Sequence, residues 1–556
     1  MLNYYGNESQ STLATEESSS LCEKSLLDTA ERKELEAIQN KVTKYKKRKL
    51  YFTYLRKLYS PLLFVGLVAG VLCGIIIGLY QYLAEELTDA NIYIYNLIRK
   101  DKRYIAAALG VNIIIGLIIG FAIDYLKEIR GSGIPYIESV ARGNLQVTWY
   151  SSLPGMFIIS LLGIFSGLLI GSEGPSVFLG GCIGYAIAKI LKRNRIPDML
   201  LVAAGSSAGL AVAFDAPLSG MIFALEEVYR KFSTQIILVS VITVSVSQII
   251  SHLIFGDKRL IINPVQIEQF DILHFGISLF CGVSGGILGS LFNILICHAR
   301  NWFKYIKCLP LKLYVVIPEV VTVFVIYFLP DGAYGGSACL KKTLDDKFKT
   351  WEVGALLGVR IISILLCFAS KTSGGIFIPM LSVGALWGSL TAKLLIKIGI
   401  ESKNFSYMSL ITMSSFFTAV VRAPLTAVIL PVEFTEQFTG WLGPITAVAG
   451  AYIVAEFFRV EPLYEKLMEV LVEKRDEEEV NKFDEFSFIV TVESTIAGQC
   501  VRDLILPEGT TITHIIRDKT LFFPSDTTEI LEGDEVFFMC EADKMADVED
   551  MIGKVF

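Results

Sequence analysis

Long apolar runs set the rhythm of this chain. Pro61–Tyr80, Tyr104–Ile123, Val320–Leu329 and Phe405–Pro431 are nearly free of charge, and several reach the ~20 residues that a membrane-spanning helix needs. Two further runs are interrupted: Leu153–Ile170 stops at Gly171, and Leu366–Leu381 is broken by Ser373-Gly374-Gly375. Irregular backbone survives at membrane depth only where it is buried in protein or lines a polar cavity. The pattern therefore predicts an all-α polytopic membrane protein with many broken helices. After residue 484 the pattern changes. Phe486–Val492 is β-prone, Thr495–Leu504 predicts a short helix, and Thr510–Arg517 precedes Leu521-Phe522-Phe523-Pro524. Gly533-Asp534 predicts a turn between two strands within Thr528–Met539, and Asp543–Ile552 predicts a helix.

Four sections follow: a polar lead over 1–50, a membrane body over 51–469, a charged connector over 470–484, and a small α+β module over 485–556. The composition agrees, with 53% hydrophobic and 19% charged residues, where soluble chains have about 45–50% and 25%. The first forty residues are Ser/Glu-rich and read as disordered, with no secretory signal peptide. The basic run Lys41–Leu50, with Arg56 and Lys57, puts that end in the cytoplasm. The net charge of −6 carries little weight, because the acidic residues gather in the tails, and no nucleic-acid footprint is present. Ten cysteines lie singly and four histidines are far apart, so neither a metal site nor a disulfide framework is expected. No cofactor is expected. No nucleophile–base pair or phosphate loop is found, so the chain does not read as an enzyme.

The membrane body echoes itself. Ala216-Pro217-Leu218-Ser219-Gly220 recurs as Ala423-Pro424-Leu425-Thr426-Ala427, and the apolar runs that follow end in acid at Glu226-Glu227 and at Glu433. Gly171–Pro175 pairs with Gly374–Pro379, and Gly131-Ser132-Gly133 with Gly335-Gly336-Ser337, at nearly constant offsets of 203, 204 and 207 residues. The repeats span about 100–255 and 315–465. Two halves broken at corresponding places point to a transporter with its substrate near the midplane.

Three breaks share one design: Gly131-Ser132-Gly133-Ile134-Pro135, Gly171-Ser172-Glu173-Gly174-Pro175 and Gly374-Gly375-Ile376-Phe377-Ile378-Pro379. Each puts Gly, then Pro, at the mouth of an apolar helical run. Helices starting there present free N–H groups and positive dipole ends, and several together make an anion site without a full charge. Such a site holds an ion weakly enough to release it. Glu173 is an ionisable group in an apolar break, which is expensive and functional by default. Deprotonated, it competes with an anion for the site; protonated, it can swing away.

These motifs, with Pro462-Leu463-Tyr464, resemble in sequence, order and separation the signatures of the CLC chloride channels and transporters. The resemblance covers roughly residues 55–470. It implies an inverted internal repeat and a homodimer with one pathway per subunit. It implies chloride coordination by the Ser132 hydroxyl, the Ile376 and Phe377 amides and the Tyr464 phenol, the last closing the site from the cytoplasmic side. Glu173 matches the family's external gating glutamate. Glu227 matches the internal proton-transfer glutamate of its exchangers, with Glu226 its neighbour. Proton-coupled chloride antiport is thus expected, a voltage- or pH-gated chloride channel of the same fold being the alternative. Ser132 favours chloride over nitrate, since nitrate-preferring members resemble this motif with Pro there. Ser172 and Met156 depart from the family, standing where Arg or Lys, and Lys, are common. Residues 485–556 resemble the C-terminal lobe of regulator-of-potassium-conductance domains through Ala497-Gly498, Leu504, Pro507, Ile515-Ile516-Arg517, Pro524 and Glu532-Gly533-Asp534. That implies a small regulatory ligand at this module and a prokaryotic inner membrane as the location, with both termini cytoplasmic.

Overall fold

Helix α1 runs Thr29–Ile98, and from Leu62 onward it carries Gly66, Gly70, Gly74 and Gly78 on one stripe. A Cβ on any of the last three would lie within 3 Å of α8 (Thr234–Phe255). The stripe of small residues is what allows the two helices to touch along their backbones. The computed structural model describes residues 29–101, 103–191, 198–230, 232–256, 271–305, 310–401, 404–435, 441–476, 483–490, 494, 496–504, 506, 510–517 and 520–541. Side chains of α1 are described from Leu62. The expectation of a disordered lead is corrected from Thr29 onward: Ala30, Glu31, Arg32, Lys33, Glu34, Leu35, Glu36 and Ala37 are helix formers, and helix extends through them. The rest of the lead lies outside the described residues.

The first half continues with α2 (Tyr104–Tyr125), α3 (Ile134–Ala141), α4 (Trp149–Phe165), α5 (Glu173–Leu191), α6 (Asp198–Phe214) and α7 (Pro217–Phe223), which winds into a π-helical turn over Ala224–Tyr229 before α8. Helix α9 (Ile272–Ala299) joins it to the second half: α10 (Val316–Phe328), α11 (Ser337–Leu344), α12 (Thr350–Ala369), α13 (Phe377–Ile398), α14 (Phe405–Val421), α15 (Pro424–Thr435) and α16 (Leu442–Phe457). Helix α17 (Leu463–Asp476) follows, so helix occupies the first part of the segment read as a connector. Among the described residues eight helices are long and apolar enough to cross a membrane. Others, such as α4, α14 and α15, are apolar but too short to cross alone. The chain is an integral membrane protein.

The two halves match helix for helix. Both α3 and α11 have 8 residues, and each follows a glycine in the left-handed region, Gly133 (φ 78°) and Gly336 (φ 111°). Both α6 and α14 have 17 residues. Gly171 and Gly375, equivalent positions, pair in an antiparallel bridge with N–H···O distances of 2.6 and 2.7 Å. Equivalent segments thus run in opposite directions, which is the mark of an inverted repeat. The relation is reciprocal at the ends of α7 and α15. The Glu433 carboxylate accepts from the N–H groups of Leu218 (2.8 Å) and Ser219 (2.6 Å). The Glu226 carboxylate accepts from those of Leu425 and Thr426, both at 2.9 Å. Each acid caps the first turn of the other half's helix, where free N–H groups and the dipole favour a negative charge.

Contacts divide the chain into two units, Met1–Met468 and Glu469–Phe556. In the second, strands β1 (Phe483–Ile489), β2 (Thr511–Arg517), β3 (Thr520–Phe522) and β4 (Glu535–Glu541) form an antiparallel sheet in the order β1-β4-β2-β3. Phe486, Val490, Ile496, Ile515, Ile530, Val536, Phe538 and Cys540 form its buried core. Two local expectations change. The short helix in Thr495–Leu504 reduces to a 3-10 turn over Val501–Asp503 among the described residues, and the strand expected just before Gly533 reduces to a lone bridge, Glu529 with Cys500. The helix expected over 543–552 lies outside the described residues.

Candidate anion site

Polar groups at the three glycine breaks are short of partners within each segment, and the breaks satisfy one another. Gly131 N–H donates to Lys371 C=O (3.2 Å), Gly374 N–H to Gly131 C=O (3.0 Å), and Gly171 pairs with Gly375. A Cβ on Gly174 would lie 2.5 Å from the Ser132 carbonyl oxygen and 2.8 Å from Gly375 Cα. Only glycine lets the three backbones approach this closely. The structure thus brings Gly131, Ser132, Gly133, Gly171, Glu173, Gly174, Gly374, Gly375, Ile376 and Phe377 into one neighbourhood.

Helices α3, α5 and α13 start there, at Ile134, Glu173 and Phe377. Ile376 and Phe377 stand at the first positions of α13, where N–H groups have no intrahelical acceptor. The Phe377 ring sits among Phe214 (4.9 Å between centroids), Phe417 (4.6 Å) and Phe223 (5.5 Å). Phe223 in turn meets the Tyr464 ring edge-on at 6.3 Å, so the first turn of α17 reaches the same neighbourhood. The Ser132 and Tyr464 hydroxyls are both buried and have no hydrogen-bond partner in the protein. A buried hydroxyl without a partner is costly. Two of them beside three helix starts form a donor set suited to an anion.

Glu173 is 2% exposed, and one of its carboxylate oxygens likewise has no partner. That oxygen would be 2.0 Å from a Cβ on Gly171 and 3.3 Å from one on Gly375, so the two glycines make its room. Ser172, the departure from the family pattern, donates its hydroxyl to Gln81 Oε1 at 2.9 Å, while Gln81 Nε2 donates to Ser176 Oγ at 2.9 Å. Gln81 of α1 thus straddles the start of α5. Nothing in the linear pattern marks it, apart from its being an amide at the end of an apolar run.

Glu227 is 1% exposed in the π-helical turn. Arg230 Nη2 lies 3.4 Å from its Oε1, and Arg142 Nη2 donates to its main-chain carbonyl at 3.4 Å. Arg142 also pairs with buried Glu138. The sequence reading missed Glu138, Arg142 and Arg230; the spacing of Glu138 and Arg142 by four on α3 was the available signal. The neighbouring Glu226 carboxylate accepts the Thr426 hydroxyl (2.8 Å) in addition to the two N–H groups of α15, so it caps that helix. Met156 is buried, with Cε 2.9 Å from where a Cβ on Gly133 would sit. Its equivalent in the second half is Arg360, also buried, whose guanidinium lies 2.2 Å from a Cβ placed on Gly336 and donates to Ser382 Oγ and to the Gly335 carbonyl.

Comparison with known proteins agrees with this architecture. The H(+)/Cl(−) exchange transporter ClcA of Vibrio cholerae is 31% identical over 422 residues, covering 73% of this chain and 88% of that protein. ClcA of Yersinia pestis is 30% identical over 440 residues, covering 75% and 90%. The crystal structure of a slow cyanobacterial Cl−/H+ antiporter superposes with a TM-score of 0.69 at 23% identity, over 75% of this chain and 99% of that one. A eukaryotic CLC transporter gives 0.63 at 19% identity, over 81% and 79%. A TrkA-C domain is matched over residues 486–553. The voltage-gated chloride channel model matches residues 115–456, more than half of the chain, and the protein belongs to that family, the CLC channels and transporters.

Proposed function

We propose that this protein exchanges chloride for protons across a cell membrane. The observation that carries the reading is the meeting of three helix starts with two buried, unpartnered hydroxyls beside a buried glutamate. Chloride is held by the Ser132 and Tyr464 hydroxyls and by the Ile376 and Phe377 amides, which offer partial charges and no cation to trap it. The Glu173 carboxylate competes for the same space when charged and leaves it when protonated. Glu227 receives protons from the cytoplasmic side and passes them towards Glu173. Relatives named as H(+)/Cl(−) exchange transporters support antiport over a channel. Both termini face the cytoplasm, the protein works as a homodimer with a pathway in each subunit, and the TrkA-C module takes a small regulatory ligand.

The test uses purified protein in chloride-loaded vesicles, with external pH followed as chloride runs down its gradient under an ionophore clamp. Protons should be driven uphill into the vesicles as chloride leaves. Glu173→Gln and Glu227→Gln should abolish that movement, the latter while still passing chloride. Chloride flux without coupled protons in the unmodified protein would make it a channel and overturn the proposal.

A further inference from the structure

Arg230 ends the π-helical turn in a left-handed conformation (φ 53°). That conformation is uncommon for a side chain larger than Asn, and it aims the guanidinium across the gap between two elements. One side, Nη2, faces Glu227 at 3.4 and 3.5 Å from its two carboxylate oxygens. The other, Nη1, lies 2.6 Å from Glu465 Oε1. Glu465 is in the first turn of α17, the next residue after Tyr464. The long contact is to the buried acid and the short one is to the half-exposed acid on the helix that carries the phenol. One guanidinium therefore joins the proposed internal proton acceptor to the helix that closes the anion site.

We infer that Arg230 is a positioning residue that makes the placement of α17, and with it the Tyr464 phenol, depend on whether Glu227 carries a proton. With Glu227 charged, the guanidinium is shared between two carboxylates and α17 is drawn towards the π-helical turn. With Glu227 neutral, the attraction on that side falls and Arg230 belongs to Glu465 alone. Proton arrival and the inner closure of the chloride path are then linked through a single side chain. Among the described residues the groups facing Glu227 are few: Arg142, paired with Glu138, at the end of α3; Arg230 from its own turn; Tyr464 and Glu465 from α17. Neighbouring Glu226 is committed to α15. The inference rests on the reading of Glu227 as the proton acceptor.

The experiment is the internal-pH profile of chloride turnover, and the protons moved per chloride, for oriented full-length protein in vesicles. Arg230→Gln removes a cation beside Glu227, so the midpoint should move to higher pH by about one unit. Glu465→Gln frees the guanidinium to settle on Glu227 and removes a nearby negative charge, so the midpoint should move the opposite way. Both should lower the protons moved per chloride, and Arg230→Lys should recover part of the loss. A bridge that only holds the fold would not give shifts of opposite sign. Should Arg230→Gln fail to fold, the half-exposed Glu465→Gln decides alone: an unchanged midpoint overturns the inference. Glu227→Gln is the control. If it uncouples protons while both other variants keep the unmodified profile, the bridge is wrong and the proton-acceptor reading stands. If it leaves coupling intact, the proton-acceptor reading is wrong.

Discussion

Gly171 shows how much the placement of Glu173, the proposed gate, owes to a missing side chain. A Cβ there would lie 2.0 Å from the Glu173 carboxylate and 3.2 Å from Pro379 Cδ. Gly171→Ala must push the carboxylate out of its place, at a strain of about 1–3 kcal/mol. Chloride efflux from vesicles should slow about tenfold in protein that still purifies as a single species. Met156 carries a complementary prediction. Its half of the repeat has a thioether beneath the α3 start where the other half has the Arg360 guanidinium. A positive charge acting over about 10 Å at an effective dielectric of about 20 contributes about 1.7 kcal/mol. Met156→Lys should therefore tighten chloride binding by about tenfold in calorimetry and lower thermal stability, because a buried cation is costly. The glycine breaks and Glu173 were legible in the sequence, because Gly, Pro or an acid in an apolar run stands out locally, whereas Tyr464 was read only from the family resemblance. Gln81 and Arg230 were not legible. Their partners Ser172 and Glu465 lie on distant segments, and only folding brings them together.

At the scale of elements, the reciprocal caps are the clearest product of the repeat. Glu226 and Glu433 each satisfy two N–H groups at the start of the other half's helix. Glu226→Ala and Glu433→Ala should each cost about 1 kcal/mol, seen as a lower unfolding temperature in detergent, with protons per chloride unchanged in Glu226→Ala. A changed ratio at full stability would instead place Glu226 in proton transfer. The repeat itself was readable from three motif pairs, but its antiparallel sense was not: it shows only in the Gly171–Gly375 bridge and these caps. The lead was misread because polar composition hid strong helix formers from Thr29 onward. In the second unit, Arg517 Nε and Nη2 each donate to the buried Asp534 carboxylate at 2.7 Å. Burial works to raise the carboxyl, but these bonds and the Leu531 N–H outweigh it and hold it below its ordinary range. A lowered folded-state value means the stabilisation is complete above the unfolded value of about 3.9 and is lost as pH falls through the folded one. Circular dichroism of the full chain should show the sheet signal holding to about pH 4, with Asp534→Asn removing the loss below it.

On the scale of the whole molecule, the account is of two inverted halves that meet at helix starts. In the proposed function, one set of starts, with two hydroxyls, faces an anion, and an acid in one break competes with it. Broken helices, costly alone in a membrane, are stabilised because each half supplies the backbone partners that the other lacks. The most direct test replaces chloride with bromide and locates it by anomalous diffraction. A peak in contact with Ser132 Oγ, Tyr464 Oη and the Ile376 and Phe377 amides, reduced in Tyr464→Phe crystals, is the predicted result. Bromide bound elsewhere in the membrane body, with none at these groups, would contradict the account.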